Sequence, residues 1–248
     1  MNSSPEHIKT QRVRSILSFA PRWSFVASGV MLALFAVVAF GVVTYAPWAV
    51  ELNSQGATLI QSYRNPGLSD AVITFTSVGN PLPTIALLAL FIAILALKKR
   101  KEEETFIIAF FVASEALIQT LKFVFANPRP LDTNIIPLPF SYSFPSAHAS
   151  TAVLLCAIVA MMALVGMKKR QWPPAAQSAV LALLILIALG MGLSRVYVGV
   201  HWCTDVLSGW ALGFALSIPA VAVYVRAFTN KHIVQAHDAI DGAADTIE

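Results

Sequence analysis

Charge is scarce in this 248-residue chain: Asp, Glu, Lys and Arg together make up 12%, about half of what a soluble globular domain carries. Such a surface cannot face water all round, so an ordinary soluble fold is excluded. Cysteine is nearly absent as well. Cys156 lies inside an apolar run and Cys203 beside His201. Two cysteines build no disulfide framework, and without a C-x-x-C pair there is no zinc or redox signature. Internal repeats and low-complexity segments are also missing. The net charge is only +4; its distribution along the chain matters more than its sum, and no nucleic-acid partner is expected. What the chain has in quantity is apolar residues, 57% of the total, and the fold class this implies is an all-α polytopic membrane protein.

Six apolar runs are long enough to cross a bilayer, at about residues 25–45, 78–97, 106–125, 149–167, 178–193 and 206–225. The first follows a polar, basic stretch and has no small-residue cleavage site after it, so it reads as a retained signal-anchor span. The expected organisation is an N-terminal tail over 1–23, one six-span domain over 24–227 and a C-terminal tail over 228–248. His232 and His237 in that tail are expected to face solvent. Between the first two spans, residues 47–77 mix polar and apolar side chains and suit short helices in the membrane interface. The run Lys98 to Glu104 reads as a solvated loop that sets topology. Asn53 and Asn80 read as ordinary loop polars. Trp202 and Cys203 are expected to pack, and Trp23, Trp48 and Trp172 sit at span ends where aromatic belts form. Within the sixth span Gly209, Gly213 and Ser217 recur every four residues, a stripe that lets a neighbouring helix approach closely.

The basic residues divide by side. Of 17 Lys and Arg, 13 fall in the segments placed inside when the N-terminus is inside. The four left outside are Arg64, Lys122, Arg129 and Arg195. The positive-inside rule then puts both termini in the cytoplasm and the other loops on the external face. Three of the four outside cations belong to polar clusters that interrupt the apolar pattern, so these clusters meet at one depth.

The first cluster starts on the third span, where Glu115, Gln119 and Lys122 share a helix face, and continues to Asn127-Pro128-Arg129-Pro130, which leaves the helix as an extended turn. The face is expected to point into the bundle, with Glu115 and Gln119 read as a hydrogen-bonded pair between helices. The second cluster, Pro145-Ser146-Ala147-His148, opens the fourth span. The third runs from Ser194-Arg195 to His201 and Asp205. His201 and Asp205 stand four apart, so the carboxylate can hold the imidazole in one tautomer. Arg129 and Arg195 are suited to bidentate binding of phosphate oxygens, Lys122 adds a point charge, and the start of the fourth span supplies backbone N–H groups. Two histidines then suit phosphoryl transfer without a metal: His201 attacks phosphorus, and His148 protonates the leaving oxygen and later activates water.

These three motifs, Lys122-x6-Arg129-Pro130, Pro145-Ser146-Ala147-His148 and Ser194-Arg195-x5-His201-x3-Asp205, resemble the signatures of the type 2 phosphatidic acid phosphatase family, the integral-membrane lipid phosphate phosphatases. The resemblance implies catalysis by His201, His148 and Asp205 through a phosphohistidine. It also implies that Lys122, Arg129, Ser146, Ala147 and Arg195 bind phosphate, that no cofactor or metal is used, and that the substrate is a lipid phosphate in the plasma membrane. Undecaprenyl pyrophosphate is the favoured substrate, with phosphatidylglycerophosphate or phosphatidic acid as the alternative. The family usually has glycine where this chain has Ala147; alanine is tolerated there if it lies in the first helical turn. The competing readings are a phosphatase for soluble esters, a non-catalytic lipid or anion transporter, and a metalloenzyme built on His148, His201 and Asp205. The last is disfavoured by the lack of oxygen-rich ligands among the cations.

Overall fold

A computed structural model describes residues 21–131 and 133–244, in which every regular element is a helix. In chain order these are α1 (Arg22–Val43), α2 (Pro47–Gln61), α3 (Pro66–Ser77), α4 (Pro81–Leu97), α5 (Lys101–Phe125), α6 (Ala147–Lys169), α7 (Pro174–Tyr197) and α8 (Cys203–Ala244). Prolines open α2, α3, α4 and α7, where the missing N–H costs nothing because no carbonyl precedes it in the helix.

Five helices are individually long and apolar enough to cross a membrane: α1, α5, α6, α7 and the first 27 residues of α8. The second expected span, at 78–97, differs in construction. Alone, α4 has 17 residues; it reaches membrane-spanning length together with α3, from which it is bent by 51° at Val78-Gly79-Asn80. Pro81 follows the break and cannot donate a hydrogen bond back across it. The segment 47–77 forms two short helices, as its mixed pattern implies.

One expectation changes. The charge run is not all solvated: Lys98–Arg100 make the turn, α5 starts at Lys101, and Glu103 is buried, accepting hydrogen bonds from the Arg100 guanidinium and the Tyr224 hydroxyl. A carboxylate enters this bundle end because both partners satisfy its oxygens. The α8 backbone stays helical to Ala244, past the start of the expected C-terminal tail. The side chains of His232 and His237 and the residues of the N-terminal tail before Pro21 lie outside the described set.

The most deeply buried span is α6, which packs against α7 and α8, while α8 also backs α1. In lipid, helices associate through close packing rather than through escape from water, and the small-residue stripe of α8 serves that end. A Cβ on Gly209 would stand 2.7 Å from the Ser146 carbonyl oxygen, and one on Gly213 2.8 Å from Val153 Cβ. This approach brings the N-terminal turns of α6 and α8 together, and the Ser146 N–H donates to the Asp205 carbonyl at 2.9 Å. The two motifs are thereby joined through backbone. At the other end of the same helices lie the turns around Lys99 and Arg170, roughly 35 Å away at 1.5 Å per residue.

Gly213→Ala is expected to lower the thermal unfolding midpoint despite alanine's better helix propensity, since the new methyl enters the α6–α8 contact. Gly166→Ala, with open space around it, is the control and is expected to hold or raise the midpoint.

Candidate active site

The α5 helix ends at Ala126, which takes the left-handed conformation with φ 46°, and the chain then runs extended past Arg129. Lys122, in the last turn of α5, donates to the carbonyls of Tyr142 at 2.7 Å and Ser143 at 3.3 Å. Arg129 is held by the Ser141 carbonyl at 2.8 Å, the Val200 carbonyl at 2.7 Å and the Tyr142 carbonyl at 3.2 Å. Arg195, in the last turn of α7, donates to Thr76 Oγ1 at 3.0 Å, while its buried Nε has no protein acceptor. Among the described residues none of these three cations forms an ion pair with a carboxylate. All three line a cavity of about 670 Å³, together with Ala147, His148 and His201. The motifs separated in sequence thus meet in one place.

Burying cations without counter-charge is costly, and neutral carbonyls offset only part of that cost. An anion is the chemical complement of this cavity. The N-terminus of α6 reinforces it, presenting the first amides of the helix and its positive end. Ser146 itself stands behind the wall: its hydroxyl accepts from the Ala149 N–H as the N-cap, its own N–H is taken by Asp205, and it does not line the cavity.

His201 lies in the tight turn between α7 and α8. That turn needs Gly199, whose φ is +77° and where a Cβ would stand 2.2 Å from the Thr133 carbonyl oxygen. Imidazole Nδ1 is 3.1 Å from Asp205 Oδ2, which also accepts from the Trp202 N–H at 2.9 Å. The other carboxylate oxygen lies 3.5 Å from Asn127 Nδ2 and 3.4 Å from Ser143 Oγ. A carboxylate beside Nδ1 places the proton there, leaving the Nε2 lone pair to accept from Arg129 Nη1 at 3.1 Å. Burial, and then the charges of Arg129, Lys122 and Arg195, hold the pKa of His201 well below the usual histidine value. Both effects favour the neutral ring, in which the Nε2 lone pair is free. His148, in the first turn of α6, has Nε2 3.2 Å from Asn80 Oδ1.

Residues outside the motifs support the site. Asn53 on α2 accepts from the Thr204 N–H at 2.9 Å, capping the start of α8. Gln61 donates to the Val196 carbonyl at 3.1 Å, and Arg64 Nε to the Tyr197 carbonyl at 2.9 Å. Thr76 on α3 meets Ser194 Oγ at 2.9 Å as well as Arg195. Asn53 and Asn80 are therefore not ordinary loop polars. Their partners lie 151 and 68 residues away, and no local pattern signals such contacts. Glu115 accepts hydrogen bonds from Thr151 and Gln119, so the expected pair also ties α5 to α6, within the cavity wall. Trp202 packs with its indole N–H on the Pro128 carbonyl at 2.9 Å, and Cys203 joins Ala149, Val196 and Val206. Among the described residues, no three His, Cys, Asp or Glu side chains are grouped to hold a metal ion.

Comparison with known proteins converges on one family. Residues 104–229 match the sequence profile of the PAP2 superfamily, about half of the chain. An undecaprenyl-diphosphatase of Sulfolobus acidocaldarius is 35% identical over 147 residues, which is 57% of this chain and 62% of that protein, so the chain spans less than two thirds of that relative. Phosphatidylglycerophosphatase B of Bacillus subtilis is 29% identical over 170 residues, 68% of this chain and 79% of that one. The crystal structure of a transmembrane PAP2-type phosphatidylglycerolphosphate phosphatase from Bacillus subtilis superposes with a TM-score of 0.70 at 22% identity, covering 82% of this chain and 96% of the other. That of Aquifex aeolicus LpxE superposes with 0.53 at 26% identity, covering 68% and 94%.

Ala147 is the first residue of α6 and is not among the residues with positive φ, so the position has no conformational need for glycine. Ala147→Gly is expected to change kcat/KM by less than about tenfold, consistent with the small helix-propensity cost of glycine. A gain of several orders of magnitude in a phosphate-release assay would show that the alanine methyl obstructs the anion.

Proposed function

The chain belongs to the PAP2 superfamily, and from that premise we propose that it is a membrane lipid phosphate phosphatase working through a phosphohistidine on His201. The observation that carries the reading is the set of three cations that form no ion pair with a carboxylate among the described residues, gathered around a carboxylate-oriented histidine. Phosphate oxygens replace His201 Nε2 as acceptors for Arg129 and engage the orphaned Nε of Arg195. Nε2 then attacks phosphorus in line, the bond from phosphorus to the leaving oxygen breaks, and His148 supplies the proton to that oxygen. In the second half His148 takes a proton from water, the water oxygen attacks phosphorus, and the P–N bond breaks to return His201 and free phosphate. Asp205 stabilises the imidazolium character that develops on His201. The cations and the α6 amides stabilise charge on the transferring group and require no bound metal.

The substrate is proposed to be a lipid because the cavity lies between membrane helices and has an apolar side, formed by Ile73, Ile85, Phe111 and Ile136. Undecaprenyl pyrophosphate is favoured, in keeping with the name of the relative at 35% identity. Phosphatidylglycerophosphate is the second reading, because the relative named for that activity aligns over a larger share of both chains. The distribution of Lys and Arg supports the reading that the site faces the outside of the plasma membrane with both termini inside.

The test is phosphate release by purified protein in nanodiscs with chelator present. It is run side by side on undecaprenyl pyrophosphate, phosphatidylglycerophosphate, phosphatidic acid and a soluble monoester. Wild type is expected to turn over a lipid substrate in chelator, His201→Ala to release nothing measurable, and Asp205→Asn to lose on the order of 10³–10⁴ in kcat. Equal release by wild type and His201→Ala would contradict the mechanism. Loss of release on chelation would restore the metalloenzyme reading, and preference for the soluble ester would remove the lipid.

A further inference from the structure

Asparagine is among the best helix N-caps because its side-chain oxygen accepts a backbone N–H of the first turn. Asn65 does this at the start of α3, accepting from the Leu68 N–H at 3.0 Å. Asn80 holds the same position at the start of α4 and makes no such bond. Its Oδ1 instead lies 3.2 Å from His148 Nε2. A residue that forgoes the local bond its type favours, in order to meet a polar group across the cavity, marks a conflict between local and functional demands.

The neighbouring residue points the same way. A Cβ on Gly79 would stand 2.7 Å from His148 Cδ2 and 3.0 Å from Met191 Sδ, so the backbone at the α3–α4 bend lies directly against the imidazole. One turn earlier, Thr76 meets Arg195. The residues around the bend between the two halves of this broken span thus touch two motifs, at His148 and at Ser194 and Arg195.

We propose that Asn80 is the positioning residue of His148, fixing the proton on Nε2 and turning Nδ1 toward the leaving group. This rests on the phosphatase reading above, in which His148 is the acid and then the base. A carbonyl oxygen accepts, so Nε2 carries hydrogen in both ring states. In the protonated ring Nδ1–H is the donor to the leaving oxygen; in the neutral ring the Nδ1 lone pair takes the proton of water. The arrangement complements that of His201, which is held through Nδ1 and acts through Nε2. The other charged or titratable groups facing His148 are Arg195, Lys122 and Arg129, all cationic, and His201 and Glu115 in the same cavity wall. Against three cations, Asn80 is the neutral acceptor that favours the protonated ring without competing for phosphate.

The test is the pH dependence of kcat for wild type, Asn80→Ala and Asn80→Asp in nanodiscs, with unfolding midpoints measured in parallel. Asn80→Ala is expected to lower kcat roughly ten- to a hundredfold, as the loss of an orienting partner does elsewhere, with KM within about twofold. Its basic limb, which reports the acid in the substrate complex, is expected to move down by about one pH unit. Asn80→Asp keeps the acceptor and adds charge, so its kcat stays within about tenfold of wild type and its basic limb moves up. If Asn80 only ends a helix, aspartate, an equally good cap, leaves the limb in place, and alanine changes the midpoint alone; either result overturns the inference. Asn80→Asp carries the test if the alanine variant fails to fold. A wild type that releases no phosphate overturns the phosphatase reading and this inference together, whereas an active wild type with an unmoved limb in both variants overturns this one only.

Discussion

Two buried cations and a half-buried one that meet no carboxylate among the described residues are the constraint on which the rest of this structure depends. Lys122, Arg129 and Arg195 come from three segments, and each is restrained by neutral oxygens, which orient a charge without neutralising it. Left without an anion, such a cluster pushes its helices apart. The contacts that hold them together are therefore found nearby: the close α6–α8 approach allowed by Gly209 and Gly213, and the backbone bond from Ser146 to Asp205. The carboxylate nearest the cluster, Asp205, is committed to His201 and the Trp202 amide. It orients the imidazole and leaves the cations available.

The short helices α2 and α3 belong to this economy of charge. Asn53, Gln61 and Arg64 reach over to α8 and to the end of α7, satisfying backbone groups beside the turn that carries His201, while Thr76 meets the side chains of Ser194 and Arg195. A tight turn at the membrane surface exposes carbonyls and amides that have no partners of their own. Here they are met by side chains from a segment that carries none of the motifs.

Much of the site was legible because its chemistry is expensive in a membrane. Arg195, His201 and Asp205 interrupt an apolar pattern, and the distribution of Lys and Arg grouped them with Lys122, Arg129 and His148 before any coordinates. The stripe of Gly209 and Gly213 was legible for the same periodic reason. What escaped was long-range. Asn53 and Asn80 are common loop residues whose roles depend on partners brought close only by the fold. Glu103 was misread because a charge run looks solvated, and only Tyr224, 121 residues away, shows that one of its carboxylates turns inward. The second span was read as starting at Val78, whereas Gly79-Asn80 form the bend that joins α3 to α4 and brings Asn80 to His148.

The central claim is that the phosphoryl group passes through His201 Nε2. It is tested most directly by quenching the enzyme in alkali, in which phosphohistidine survives, during turnover of a lipid phosphate labelled in its terminal phosphate, and mapping the label to a peptide. Label on the peptide containing His201, formed and discharged at rates compatible with kcat, is the predicted result. Turnover with no label on any histidine, or with label on His148 instead, would contradict the account.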